Sequence, residues 1–350
     1  MNHNTSDIHI AIDAMGGDFA PPCVLEGTAE ALRNRPGRFR ALLVGKEQVL
    51  RELIAKLPAD VRRLLEDETR CSIVNATEVI DMHDSPTAAV KSKKNSSIAV
   101  GLQMHQAGTA SAFVSAGNTG AVLSASTLIL GRLANVGRPT IGALIPTVKR
   151  PCLLVDAGAN VDCKARHLFE FAVMGALYVK TMLGVERPRV GLLNIGEEES
   201  KGNEVAQAAY RLLAESPLDF KGNVEGRDVL KGDVDVIVCD GFVGNILLKF
   251  GEGIPSFFKA KFSALAAQSV KDKLVALLAR NSLRAIMKEL DYQEHGGVPV
   301  LGVNGVSIIG HGRSTPKAIM NMIFRAEEMV SRSVHRQIEE SLARFQPHAG

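Results

Sequence analysis

The sequence predicts an α/β fold built on a mostly parallel sheet with helices on both faces, and three observations carry that prediction. Short apolar runs alternate with segments of helical period along the whole chain. Most of those runs stop at Gly, Asp or Asn just before a helical segment, the order of βαβ units. The 350 residues are 46% hydrophobic and 23% charged, and the 32 glycines gather at apparent strand ends, a globular composition with ample material for a core.

Taken in order, the first strand lies in IHIAIDAMGG, where Asp13 ends the strand and Gly16-Gly17 turn toward a helix entered through Ala20-Pro21-Pro22. FRALLVG and CSIVNAT are the next strands, with KLPADVRRLLEDETR as a connection or surface helix between them. Ser85-Pro86 places a capping hydroxyl before a proline at the first helical position, and another helix starts at Asn95-Ser96-Ser97. ASAFVSAG, CLLVDAG, RVGLLNIG, VDVIVCDG and VSIIGHG complete eight expected strands. Residues 252–290 read as an amphipathic helical hairpin broken near Gln268-Ser269, with Ile254, Phe257, Phe258, Phe262 and Leu265 apolar among many basic residues. Such a hairpin suits an anionic lipid surface, a dimer interface or core packing. After the Thr315-Pro316 cap, Ile319, Ile323, Ala326, Val330, Val334 and Ile338 predict one long core-facing helix.

Composition excludes several classes. A formal charge of +3, no Trp and 3 Tyr offer no nucleic-acid surface. Cys23, Cys71, Cys152, Cys163 and Cys239 are odd in number and widely spaced, so neither a disulfide framework nor a zinc cluster is expected. No basic region followed by an apolar run opens the chain, and no run approaches the roughly 18 apolar residues of a membrane span. The expectation is a cytoplasmic enzyme, compatible with binding at the inner face of a membrane, with no metal and no cofactor.

The strand ends are expected to converge at one edge of the sheet, where ligands of open α/β sheets bind. SAGNTGA lacks the lysine of a phosphate-binding P-loop, yet Gly117 and Gly120 permit close approach, and amides from Asn118 and Thr119 onward open a helix. A single anion suits such a turn, as does a plain cap by Asn118 or Thr119. Lys91, Lys93 and Lys94 precede the next cap at Ser96; Lys94 is the preferred cation, and the other two read as a solvated face. Further ends supply Asp156 with Asn160, Asn194, and Asp240 with Asn245. Among His83, His167, His295 and His311, the last stands after a strand in IIGHGRST and is the acid–base candidate. No nucleophile elbow or H-E-x-x-H motif occurs.

In order along residues 8–335, IAIDAMGGD, AVKSKKNSSI, SAGNTGA, VDAGANVDCK, NIGEEESKGNE, CDGFVGN and GVNGVSIIGHG resemble the phosphate acyltransferase (PlsX) family of bacterial phospholipid synthesis. The resemblance implies a three-layer α/β/α sandwich similar to the isocitrate and isopropylmalate dehydrogenases, as one catalytic domain over 8–345 and a homodimer. It implies transfer of an acyl group from acyl-acyl-carrier protein to inorganic phosphate; the acyl phosphate then feeds a membrane glycerol-3-phosphate acyltransferase. Lys94, Ser96, Ser115, Gly117, Thr119 and Gly120 are then expected to hold phosphate. Asn118, Asn160, Asn194 and Asn245 are candidate oxyanion donors, with His311 as acid or base. Asp13, Gly16, Gly17, Asp156 and Asp240 support these turns. Arg132, Arg138, Lys149 and Arg150 are candidates to receive the acidic carrier protein. A short-chain acyl-coenzyme A enzyme, a hydroxyacid dehydrogenase and a non-catalytic membrane scaffold are the competing readings.

Overall fold

The computed structural model describes residues 8–269, 271–279 and 296–344. The first half alternates β1 (His9–Asp13), α1 (Pro22–Asn34), β2 (Arg40–Gly45), α2 (Glu47–Ile54), α3 (Ala59–Glu66), β3 (Cys71–Asn75), α4 (Pro86–Ser92), α5 (Ser97–Gln106), β4 (Ala112–Ser115) and α6 (Thr119–Ala125). There follow β5 (Thr140–Ile145), β6 (Cys152–Val155), α7 (Ala165–Leu183), β7 (Arg189–Asn194), α8 (Glu204–Ala214), β8 (Asp219–Glu225), β9 (Val236–Val238) and α9 (Gly241–Ala266). A helix over 271–279 (α10), β10 (Val298–Leu301), β11 (Ser307–Ile309), α11 (Pro316–Ser331) and α12 (Val334–Arg344) complete the described chain.

All eight expected strands form, and three more join them in an 11-stranded sheet of order β3-β2-β1-β4-β11-β10-β5-β6-β9-β7-β8. Alternation fixes which side chain meets which layer. Ile10 and Ile12 enter one core with α1, α7 and α11, and Ala11 enters the other with Ile98 and Leu102 of α5. Helices therefore cover both faces, as the apolar strands require.

The unforeseen β5 and β10 change the geometry. β11 pairs parallel with β4 but antiparallel with β10, β10 is antiparallel to β5, and β5 is antiparallel to β6. The block β3-β2-β1-β4-β11 thus runs opposite to the block β6-β9-β7-β8. The expected convergence of strand ends at one edge is corrected: Asp13, Ser115 and Ile309 end strands at one edge, while Val155, Asn194 and Val238 end them at the other.

Two helical expectations are also revised. The C-terminal helix is two helices, divided where Ser333 takes a φ of 52°. The first arm of the hairpin begins at Gly241 rather than 252, and its break after Ala266 falls where expected; 280–290 lie outside the described residues, as does His295. No helix among the described residues is long and apolar enough to cross a membrane.

Candidate active site

Two buried aspartates organise the strand ends. Asp13 is 2% exposed and takes the Ser115 hydroxyl at 2.7 Å and the Met15 N–H at 3.1 Å, with further hydrogen bonds from Ser97 and Gly16. The Gly117 N–H in turn donates to Ser115 Oγ at 3.0 Å. Gly16 has no room for a Cβ, which would meet Gly117 N at 2.8 Å, and Gly17 adopts a φ of 113°. Burial raises the Asp13 carboxyl above its usual range, and these bonds oppose the rise.

At the other edge Asp156, fully buried, accepts from the N–H groups of Gly158 (3.0 Å), Ala159 (2.9 Å), Asn160 (2.7 Å) and Ile141 (3.4 Å) and from Asn160 Nδ2 (2.8 Å). Burial raises this carboxyl as well. The turn it shapes is the seat of α9: Gly241 N–H donates to Asn160 O at 2.7 Å, and a Cβ on Gly244 would collide with Asp156 O. Asp240 caps the helix through Val243 N–H at 2.8 Å.

Several expected site residues are committed to scaffolding. Asn118 Oδ1 accepts from Ala121 N–H at 3.1 Å and caps α6, while its Nδ2 faces the carbonyls of Met82 at 3.1 Å and Asp84 at 3.2 Å. Lys93, rather than forming a solvated face, binds Asp84 at 2.5 Å and Val79 O at 2.8 Å and so fixes the loop that Asn118 holds. Ser96 is buried and caps α5. Asn160 Nδ2 also donates to Pro139 O at 2.8 Å, and Asn194 Nδ2 to Lys201 O and Asn223 Oδ1, each at 3.1 Å. The side chains of Asn118, Asn160 and Asn194 are therefore already engaged, against the expectation of oxyanion donors. Lys94 and His83 are exposed, and Lys94 lines neither cavity described below. His167 accepts from Lys164 N–H at 3.1 Å. The four expected carrier-docking cations are bound within the chain: Arg132 to Gly137 O, Arg138 to Asp162 O, Lys149 to Asp233 and Arg150 to Asp235.

What remains gathers over the middle of the sheet. A cavity of about 370 Å³ has Ile141, Ala143 and Val298 of the antiparallel strands β5 and β10 in its lining, together with α6 on one side and α9 on the other. Thr119 and Gly120 open α6 there, and the first N–H groups of a helix have no preceding turn to bond. Asn245 and Lys249, one turn apart on α9, line the other side with Glu252, which pairs with Lys249 at 2.8 Å. His311 and Gly310 approach from the end of β11 and Ala157-Gly158 from the end of β6, so the cavity joins groups from both edges across the face. His311 Nδ1 accepts from Arg313 N–H at 3.1 Å, which puts the proton of a neutral ring on Nε2.

Lys249 is the residue that sequence reasoning missed. The signal was its i+4 spacing from Asn245, which places both on one helical face. Helix-start amides, a cation, a carboxamide and an imidazole thus share one concavity, a set able to hold an oxyanion and to donate to a developing one. Among the described residues, no group of three or more His, Cys, Asp or Glu is placed to hold a metal ion.

A family described as "Fatty acid synthesis protein" matches residues 8–337. A phosphate acyltransferase of Heliobacterium modesticaldum is 47% identical over 335 residues, spanning 96% of this chain and 98% of its own. One from Chlorobaculum parvum is 46% identical over 343 residues, spanning 95% and 98%. Among solved structures, a phosphotransacetylase from Streptococcus pyogenes superposes with a TM-score of 0.61 over 92% of this chain and 94% of its own, at 17% identity, which is likeness of fold.

Proposed function

The chain belongs to the phosphate acyltransferase family of fatty acid and phospholipid synthesis, and from that premise we propose that it moves a long-chain acyl group from the thioester of acyl-carrier protein to inorganic phosphate. The products are acyl phosphate and the free carrier thiol. The observation that carries this reading is the meeting of Thr119, Gly120, Asn245, Lys249 and His311 in one cavity.

Phosphate needs no protein nucleophile; it needs to be held in line with the thioester carbonyl. The amides of Thr119 and Gly120, together with Lys249, hold it. A phosphate oxygen bonds to the carbonyl carbon, Asn245 donates to the resulting oxyanion, the C–S bond breaks, and the proton that hydrogen phosphate carried passes to the departing sulfur, toward which His311 Nε2–H donates a hydrogen bond. Phosphate displaces Glu252 from Lys249, a carboxylate that holds the ammonium in place before substrate arrives. The role expected of Lys94 passes to Lys249. The exposed row Phe257, Phe258 and Leu265 on α9 supports surface association with a lipid bilayer or a second copy of the chain, from which acyl phosphate passes to a glycerol-3-phosphate acyltransferase.

The test mixes purified protein with palmitoyl-carrier protein and phosphate and measures free thiol and acyl phosphate together. Lys249→Met is expected to raise the KM for phosphate about tenfold or more, the effect of losing a charge-assisted contact, with Lys94→Ala near wild type. A phosphate KM that responds to Lys94 and ignores Lys249 reverses the assignment, and no acyl phosphate from the wild type removes the reading.

A further inference from the structure

A second and larger cavity, of about 730 Å³, lies on the other side of α9 at the ends of β7 and β9, within the roughly 300–1,000 Å³ span of small-molecule sites. Its lining is aliphatic and aromatic, with Leu168, Leu192, Val205, Val243, Ile246 and Phe250 among it. Ile195 and Phe250 there are 82% and 72% exposed, an apolar surface that gains by being covered.

Three polar side chains in the lining already bond within the protein. Asn194 Oδ1 accepts from Ile195 N–H at 2.8 Å, Asn203 Oδ1 from Ala206 N–H at 2.9 Å, and Asp240 Oδ1 from Val243 N–H at 2.8 Å. Asp162 and Asp240 contribute carboxylates and, among the described residues, no Lys or Arg lines the space, so a phosphate or carboxylate headgroup is repelled from it. Cys163 also lines it, with its thiol pushed up to about 11 by burial, which keeps it neutral. The chemistry that fits is an uncharged alkyl chain.

We propose that this cavity binds the distal part of the substrate's acyl chain, so that α9 separates the reacting carbonyl from its tail. The inference rests on the acyl-transfer reading above. Asn245 faces one cavity and its neighbour Ile246 the other. A long extended chain exceeds the ~10–12 Å diameter of a helix and rounds α9 to reach the second cavity, whereas a short chain does not. Each methylene it buries is worth about fourfold in affinity.

The experiment compares kcat/KM for octanoyl- and palmitoyl-carrier protein, and displacement of Nile red by hexadecanol, in wild type, Ile246→Asp and Phe258→Asp. Both residues are exposed, but only Ile246 lines the cavity. Ile246→Asp is expected to lower the palmitoyl-over-octanoyl preference at least about tenfold and to abolish the hexadecanol-sensitive dye signal, while Phe258→Asp keeps both. Retained preference and dye displacement in Ile246→Asp, or equal loss in Phe258→Asp, overturns the assignment. A wild type that forms acyl phosphate from neither thioester refutes the acyl-transfer reading, and the dye arm then still decides whether the cavity takes an alkyl chain.

Discussion

The turns after β1 and β6 each close on a buried aspartate, but the two differ in who donates to it. Two of the Asp13 partners are the hydroxyls of Ser97 and Ser115, which can rotate to accept as well as donate. Around Asp156 all five partners are N–H groups. The Asp13 turn therefore tolerates a neutral side chain, and the Asp156 turn fits only a carboxylate. What they hold differs as well: a tight turn of small residues against α6 in the first case, and a 26-residue helix in the second. Neither carboxylate lines the cavity; each fixes backbone from which other groups reach it.

The largest effect expected from this difference is in paired amide substitutions. Asp156→Asn turns an NH₂ toward N–H donors and should cost on the order of 3 kcal/mol, while Asp13→Asn should cost about 1 kcal/mol or less. Urea unfolding of the two variants measures both, and equal costs would erase the distinction. Next is the seat of α9. Gly244→Ala forces a Cβ into Asp156 O and should destabilise by about 1–3 kcal/mol, whereas Gly251→Ala, with nothing within 4 Å, should gain about 0.5–1 kcal/mol from helix propensity. Thermal melts with opposite signs confirm that only the first two turns of α9 are pressed onto the sheet.

The smallest effect is in pH. Because the folded Asp13 carboxyl titrates above its ordinary value of 3.8, its contribution is fully present below that pH and is lost as pH rises through the higher folded value. Asp13→Asn should flatten that part of the stability profile, read as the urea midpoint from acid toward neutral pH. An unchanged slope would mean that the Ser97 and Ser115 bonds outweigh burial.

Eight strands were legible because each ends in Gly, Asp or Asn before a helix. TIGALI and VPVL were not, since no helix follows either directly and Pro299 interrupts the second. Their antiparallel direction leaves no mark in an apolar pattern, so the split of strand ends between two edges was invisible. Of the cavity lining, Gly120, Asn245 and His311 were legible as small or polar residues shortly after strand ends. Asn118, Asn160 and Asn194 misled because a cap, a turn and an oxyanion all call for the same carboxamide. Lys249 was hidden inside an apolar helix, one turn beyond the strand-end motif.

The position of β10 and β11 bears on how the chain assembles during synthesis. These strands, from residues 298–309, fill the middle of the sheet between β4 and β5, although both neighbours are made more than 150 residues earlier. Until that late segment leaves the ribosome, β4 and β5 each present an unpaired edge, and the two halves have no shared strand to align them. The last two of the sheet's strands to be translated are thus the seam that joins the protein, and two sticky edges persist while more than 150 further residues are made.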